Sequence, residues 1–558
     1  MSRTLDARRR GGATRFLISR HCVLLVSLLV AAPVLTASTQ LPPAPLPLSG
    51  TEDARTLAKG TVRFRAMTAW TGFDNLYAGP GDTTSGARPL GDLFSTPHLG
   101  ADHIASLAQA QAAARALTGN ATLRLDAGQL VTTANARIVT TPLALEYGVT
   151  NHLTLGVMVP VVQTLTTVVV ELNPRRLSSA DVNVGPNPAL FSGNTARSTN
   201  LGVYDALSRA HDDLTAALAA CSTNPSGPVC SQPDLARQAQ SLSDSYRTAI
   251  QSLYGTDDAH PGSAFVPTAA LQAVVSQQLA TLDASLETLL GQRYLPTTGL
   301  VGAGASAALL QLQQLLTDPA GVAFDSLGSP TRIGVGDIEI SAALRLFDGF
   351  QDSLRSPWSA RAAIRGVLRL GTGRPSSGRV PFEIGTGTGQ TSADAAAILD
   401  LRMPWRLVTT LAGQYTAYFG SAKVLRVPGD EYSPFPLGPP LEGSWRAGNT
   451  IQVDVTPRIV FTDYFTAHGA YTFRRQEGSS YTSPDLTAPP LFDATTEQRV
   501  GFGFGYSSLA RYARGRTRVP FEAFLSQLQT IAGSGGLTPR YTRTQLELRV
   551  YYRLRRGR

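Results

Sequence analysis

From Leu143 to Val161 the chain alternates apolar and polar residues on both sides of one short turn. Leu143, Leu145 and Tyr147 share one face of an extended segment. After the turn Gly148–Asn151, Leu153, Leu155, Val157, Val159 and Val161 share a face of the next. Glu146, His152, Thr154, Gly156 and Met158 stand between them, a mixed and polar set. This period of two predicts a β-hairpin with one greasy face.

The hairpin belongs to a series. Val62, Phe64, Ala66 and Trp70 alternate with arginines near the N-terminus. Ile338 to Leu346, Ala360 to Leu370, Leu399 to Met403 and Leu407 to Phe419 repeat the pattern. Ile451 to Phe461 and Phe465 to Phe473 follow. Val500, Phe502, Phe504 and Tyr506 have only glycines between them, and Val519 to Leu525 and Leu546 to Leu554 complete the set. About twelve strands result, most long enough to cross a bilayer at the tilt of a membrane barrel. Short turns at 148–151, 348–358, 404–405, 462–464 and 508–512 alternate with long connections at 74–118, 171–332, 371–391, 421–448, 476–494 and 530–538. Short turns at one end and long loops at the other are the signature of an outer-membrane barrel. The expected fold is an all-β transmembrane antiparallel β-barrel over 60–558, with a large α-helical insertion in an outer loop at 171–332. A secreted soluble β-sandwich is the competing architecture, since alternating strands and turns fit it too. Aromatic residues near strand ends, among them Tyr147, Trp405, Phe461, Tyr464, Phe465, Tyr506 and Tyr552, suit interfacial girdles.

Within the insertion the period lengthens to that of a helix. Val203–Ala220, Asp234–Tyr254, Thr268–Leu290 and Ser306–Thr317 read as helices, with Asp234 and Thr268 as N-cap candidates. Leu271, Val274, Val275, Leu279, Leu282, Leu286 and Leu289 form the strongest apolar stripe. Such stripes point to the core of a small bundle that caps the barrel or folds into it. "ADHIASLAQAQAAARAL" in the first long loop offers a further helix.

The N-terminus changes the compartment. Six arginines precede or enter an apolar stretch, Cys22 to Val34, followed by the small residues Thr36, Ala37 and Ser38. This is a secretory signal over 1–39, with 40–59 as a periplasmic N-terminal segment; the competing reading is an anchoring helix. Taking away six arginines and Asp6 leaves 43 Lys and Arg against 39 Asp and Glu, so little of the basic character belongs to the mature chain. The basic residues gather only in the last five positions, and no recognition motif accompanies them, so nothing here points to nucleic-acid binding. Cys221 and Cys230 survive processing and bracket the turn-rich "STNPSGPV". In an exported chain they read as a disulfide closing a helical hairpin, with two free thiols as the alternative.

Candidate chemistry is sparse. The histidines are scattered without metal spacing, and "GTGRPSSGRVPFEIGTGTGQ" lacks the ending of a phosphate loop and reads as a mobile outer loop. Ser341, His152 and Asp400 could be imagined as a triad, but any barrel would supply such residues. No enzyme activity, cofactor or metal is expected. What the strands do carry is inward charge. Twelve arginines take the polar parity: Arg63, Arg65, Arg345, Arg361, Arg365, Arg369, Arg402, Arg458, Arg474, Arg499, Arg549 and Arg553. Eight acids join them: Glu146, Glu339, Asp394, Asp400, Asp454, Glu497, Glu522 and Glu547. They form either a ladder of salt bridges in the wall or a lumen that prefers anions.

"TPLALEYGVTNHLTLGVMVPVV" and, later, "GVGDIEISAALRLF" resemble the bacterial outer-membrane family of the MetA pathway of phenol degradation, itself similar in style to the long-chain fatty-acid channels. The likeness covers Thr141–Val162 and Gly334–Leu370; the roughly 160 residues between the two segments depart from it. The resemblance implies passage of small hydrophobic or aromatic molecules across the outer membrane and carries over no catalytic residue. Expected partners are outer-membrane lipid, a small-molecule substrate and the barrel-assembly machinery during biogenesis. A structural or adhesive barrel displaying its bundle is the other function class; an open lumen favours the channel, a lumen filled by paired side chains the display barrel.

Overall fold

The computed structural model describes residues 53–77, 86–174, 182–191, 194–223, 225–306, 308–317, 324–352, 358–426, 440–485, 494–535 and 538–554. The expected signal peptide and residues 40–52 lie outside the described residues.

Twelve strands form one closed antiparallel sheet. They are β1 (Thr61–Tyr77), β2 (Leu130–Gly148), β3 (Leu153–Leu172), β4 (Ile338–Asp348), β5 (Ser359–Leu370), β6 (Ser392–Met403), β7 (Leu407–Tyr418), β8 (Thr450–Val460), β9 (Phe465–Gln476), β10 (Thr495–Ser507), β11 (Phe521–Ser534) and β12 (Pro539–Arg553). Each pairs with its sequence neighbours, and β12 closes on β1 through Thr61↔Arg553, Arg65↔Arg549 and Ala69↔Gln545. A further piece, Thr331–Val335, continues β4 along β3 beyond Gly336 and Asp337. Closure leaves no edge, so every strand's backbone groups find partners within the sheet.

The alternation sorts by face. Leu145, Val157, Ile340, Leu368, Ile451, Phe502 and Leu548 are exposed on the outside. Between them Glu146, Met158, Glu339, Arg369, Phe524 and Glu547 point inward and are buried. A continuous exposed apolar band of this extent is stable against hydrocarbon and not against water. That excludes the soluble sandwich and makes the fold a transmembrane β-barrel. Among the described residues no helix is long and apolar enough to cross a membrane.

The connections give the barrel two unlike ends. Both the β1 start and the β12 end lie at the short-turn end. The long connections gather at the other. The β11–β12 connection, expected to be long, is only residues 535–538, because both strands extend further than their apolar pattern.

Among the described residues, five helices longer than two turns stand at the long-loop end: α1 (Ala105–Thr118), α2 (Asn194–Ala220), α3 (Pro233–Leu253), α4 (Ala269–Leu290) and α5 (Leu309–Thr317). Helix α2 begins nine residues before its expected start. Asp234 does not cap α3: Pro233 takes the first position, where a missing N–H costs nothing, and Asp234 lies in the first turn. Thr268 does occupy the N-cap position of α4, without a side-chain cap bond, and Gly291 ends that helix in the left-handed region at φ 73°. Cys221 and Cys230 are disulfide-bonded, tying the end of α2 to the approach to α3, with Cα atoms 5.4 Å apart.

The bundle is seated on the barrel rather than standing away from it. One hydrophobic cluster runs from Leu207, Ile250 and Leu286 of the helices through Leu90, Leu93 and Phe94 to the inward side chains Phe73, Ile138 and Val162. Val274, assigned to the α4 stripe by spacing, is exposed instead.

The glycine-rich loop 371–391 is not an outer appendage. It turns into the barrel, where inward Thr164 and Thr166 donate to the carbonyls of Ile384 and Phe382, both at 2.9 Å. The Asp337 carboxylate accepts from Gly373 N (2.8 Å), Thr388 N (2.7 Å) and Thr388 Oγ1 (2.8 Å). The glycines serve this close approach: a Cβ on Gly373 would lie 2.6 Å from Gly387 Cα.

Candidate functional site in the barrel lumen

Strand parity aims polar side chains into a space closed off from water, where each charge needs a partner. At the short-turn end the partners form a chain across four strands, β2, β1, β12 and β11. Arg63 binds Glu146, which also accepts Arg65 Nη1 at 3.2 Å. Arg65 donates through Nε to Glu547 Oε1 at 2.8 Å, and Arg549 Nε reaches the same oxygen at 2.7 Å. Arg549 lies 4.0 Å from Glu522, whose carboxylate also takes the Tyr551 hydroxyl.

A second group joins β5, β6 and β7. Arg361 donates to Asp400 Oδ2 through Nε (3.1 Å) and Nη2 (2.5 Å), while Thr410 donates to Oδ1 at 2.7 Å. The Phe350 ring lies between the guanidinium groups of Arg361 and Arg402, at 4.7 and 4.8 Å. Nearer the helices, Arg369 bridges Glu339 Oε1 (2.9 Å), Asp394 Oδ2 (3.0 Å) and Ser392 Oγ (3.1 Å) at 1% exposure. Arg499 holds the Tyr541 hydroxyl at 3.0 Å and lies 3.7 Å from Glu497. Asp454 accepts from Gln452 and Thr472.

The remaining sequence-assigned charges are placed as follows. Arg345 pairs with Asp348 at 2.9 Å. Arg458 neighbours His468 in register, and Arg474 reaches Gln476 at 3.5 Å. Arg365 is half-buried between Ala343 and Ala396 in register. Arg553 is exposed at the end of β12.

The periodic reading missed several groups. Arg543 and Gln545 share the parity of Glu547 and Arg549 and are buried; following β12 upstream by twos would have found Arg543. Asp53 and Arg55 gave no signal, because they lie on a segment without periodicity. Residues 53–60 form a strap that enters the lumen at the short-turn end. Arg55 binds Asp53 at 2.7 Å and Glu522 at 3.1 Å, joining the strap to the wall network. Ala54 N donates to Asp400 Oδ2 at 3.0 Å, Leu57 N to Thr154 Oγ1 at 2.8 Å and Lys59 N to Asn151 Oδ1 at 3.0 Å. Ala54 itself is fully buried against Ala363 and Ile398.

Gly501, Gly503 and Gly505 face inward on β10, and their missing side chains are what make room there. A Cβ on Gly503 would lie 2.6 Å from the His468 ring, and one on Gly505 2.9 Å from the Phe524 ring. His468 and Gln545 are 6% and 1% exposed, with no hydrogen-bond partner among the described residues.

Toward the helices the lining turns apolar, with Phe73, Ile138, Val162, Phe382 and Ile384 buried. Phe94 meets Phe324 and Phe382 edge-on, at 5.8 and 6.2 Å between ring centroids. The Arg426 guanidinium stands 3.9 Å from the Phe324 centroid, and burial, helped by repulsion from Arg379, pushes it down to about 10.

Among the described residues no group of three or more His, Cys, Asp or Glu could hold a metal ion. Ser341, His152 and Asp400 form no triad: Asp400 is held by Arg361, Ser341 faces Gly156 and Val367 in register, and His152 lies in the β2–β3 turn.

No family model matches the sequence, and no curated protein matches it. Solved structures do align. An outer membrane channel from Pseudomonas putida F1 is 8% identical, covering 90% of this chain and 98% of that chain at TM-score 0.37. The Pseudomonas putida toluene transporter TodX is 10% identical, covering 89% of each chain at TM-score 0.23. The translocator domain of the autotransporter NalP from Neisseria meningitidis is 6% identical, covering 88% of each at TM-score 0.25. Likenesses this distant carry no argument about this chain, whose fold rests on its own closed register.

Proposed function

We propose that the protein is an outer-membrane channel that passes small hydrophobic or aromatic molecules and does no catalysis, with its helical insertion on the extracellular side covering the entrance. The observation that carries this reading is the make-up of the blockage. The wall is a complete twelve-stranded ring, and the strap and the inward loop 371–391 that fill it are attached by hydrogen bonds and ion pairs to side chains on its inner face. Such attachments can be released without breaking the ring. The apolar lining beside Phe73, Val162 and Phe382, and the resemblance to the MetA-pathway family, support a hydrophobic permeant.

A structural or adhesive barrel that displays its bundle is the second reading. The density of paired charge in the lumen favours it, since a filled wall conducts nothing.

Single-channel recording separates the two. In planar bilayers, removing residues 40–58 takes away Ala54 N and Leu57 N, the strap's bonds to Asp400 and Thr154, and leaves all twelve strands. We expect brief, small openings from the full-length chain and longer, larger ones from the truncated chain. A truncated chain that assembles normally and stays electrically silent would refute the channel reading and establish the display barrel.

A further inference from the structure

The short-turn rim carries a charge pattern that neither the wall nor the lumen uses. Residues 508–521 contain Arg511, Arg514, Arg516 and Arg518 and no acidic residue. The last three are exposed, and Arg553 at the end of β12 is exposed beside them, because Tyr551 N bonds Pro520 O and brings the two segments together. The one acid of the adjoining turn, Asp463, is taken by Arg514 at 2.7 Å. A positive arc therefore remains.

The arc is fixed, and it borders the apolar exterior. Ser508 Oγ accepts Phe521 N and donates to Val519 O, both at 2.8 Å, pinning the base of the segment. Arg511 lies over the Tyr464 ring at 5.6 Å from its centroid, and Tyr464, Tyr506 and Phe521 follow one another along the outside of the wall. Tyr512 and Val519 are exposed on the same segment. Aromatic rings of this kind mark the boundary between acyl chains and headgroups. The arginines just beyond them stand at headgroup depth, where a planar guanidinium can hold phosphate through two hydrogen bonds.

We propose that the 509–518 segment is a binding site for the phosphate headgroups of anionic phospholipid in the leaflet that meets the short-turn rim. The inference rests on the membrane barrel reading but not on conduction. The aromatic residues set the depth, and Arg516 and Arg518, free of acidic neighbours within the segment, supply the selectivity.

The test uses the full chain inserted into vesicles of phosphatidylcholine mixed with phosphatidylglycerol, with retained lipid identified by native mass spectrometry. The variant R516Q/R518Q leaves both the Arg514–Asp463 pair and the Arg511–Tyr464 contact in place. We expect the parent to retain phosphatidylglycerol over phosphatidylcholine, with a preference that weakens with salt. The variant should insert equally and lose roughly 25-fold in that preference, at roughly fivefold per arginine near an anionic surface. A variant that retains the same lipid as the parent, or a parent that inserts and shows no preference, overturns the proposal while leaving the barrel reading intact. A parent that inserts into neither lipid overturns both.

Discussion

Val157→Arg measures directly how the wall faces. Val157 lies on β3, 42% exposed, between Leu145 and Ile340 in register, and both of those are exposed too. It is four residues from the start of the strand and eight from Leu165, whose partner Arg137 is the first outward charge of the hairpin. At about 3.3 Å per residue and a tilt of about 40°, these separations are roughly 10 and 20 Å along the membrane normal. The side chain therefore sits about a third of the way across the apolar band, roughly 10 Å below its nearer edge, where an arginine costs about 2–4 kcal/mol. Thr167→Arg is the matched control. Thr167 also points outward, but beside Asn135 and beyond Arg137, so its substitution should cost no more than ~1 kcal/mol. Denaturant titration of the refolded protein in vesicles, read by the altered gel mobility of folded barrels, gives both values. Equal costs for the two substitutions would mean that the apolar band does not end near Arg137. No cost for Val157→Arg would mean that this face does not meet lipid.

Two further predictions concern features inside that wall. Arg369→Met should destabilise the barrel by about 3–5 kcal/mol, because Glu339 and Asp394 would be left buried without their shared cation; adding Glu339→Gln and Asp394→Asn should restore much of the loss, and a triple variant no better than the single one would remove Arg369 from its bridging role. Replacing Cys221 and Cys230 by serine should lower bundle stability by about 2–3 kcal/mol through the freed loop of the unfolded state; hydrogen exchange should show the loss in α2 and α3 and not in the strands, and a uniform loss would contradict a local role for the disulfide.

The sequence by itself determined the barrel. Period-two alternation is local: whether Leu155, Val157 and Val161 face lipid depends only on the parity of their own strand, so twelve strands, their facing and the charged lumen were legible without coordinates. The pairing of Cys221 with Cys230 was legible for the same reason, since one short turn separates them. Tertiary structure alone decided what fills the barrel. The strap 53–60 has no periodic signal, because its backbone bonds run to Asp400 and Thr154 on distant strands and to Asn151 in the β2–β3 turn rather than along its own chain. Loop 371–391 reads as polar and glycine-rich, which suits solvent equally well; its inward turn comes from Asp337 and from Thr164 and Thr166, which satisfy its backbone inside the wall. The same holds for partner choice in the lumen. Parity states that Arg369, Glu339 and Asp394 all point inward, but only the register of three strands puts one arginine between those two carboxylates. Facing is set by neighbours in sequence, and occupancy by contacts between residues tens to hundreds of positions apart.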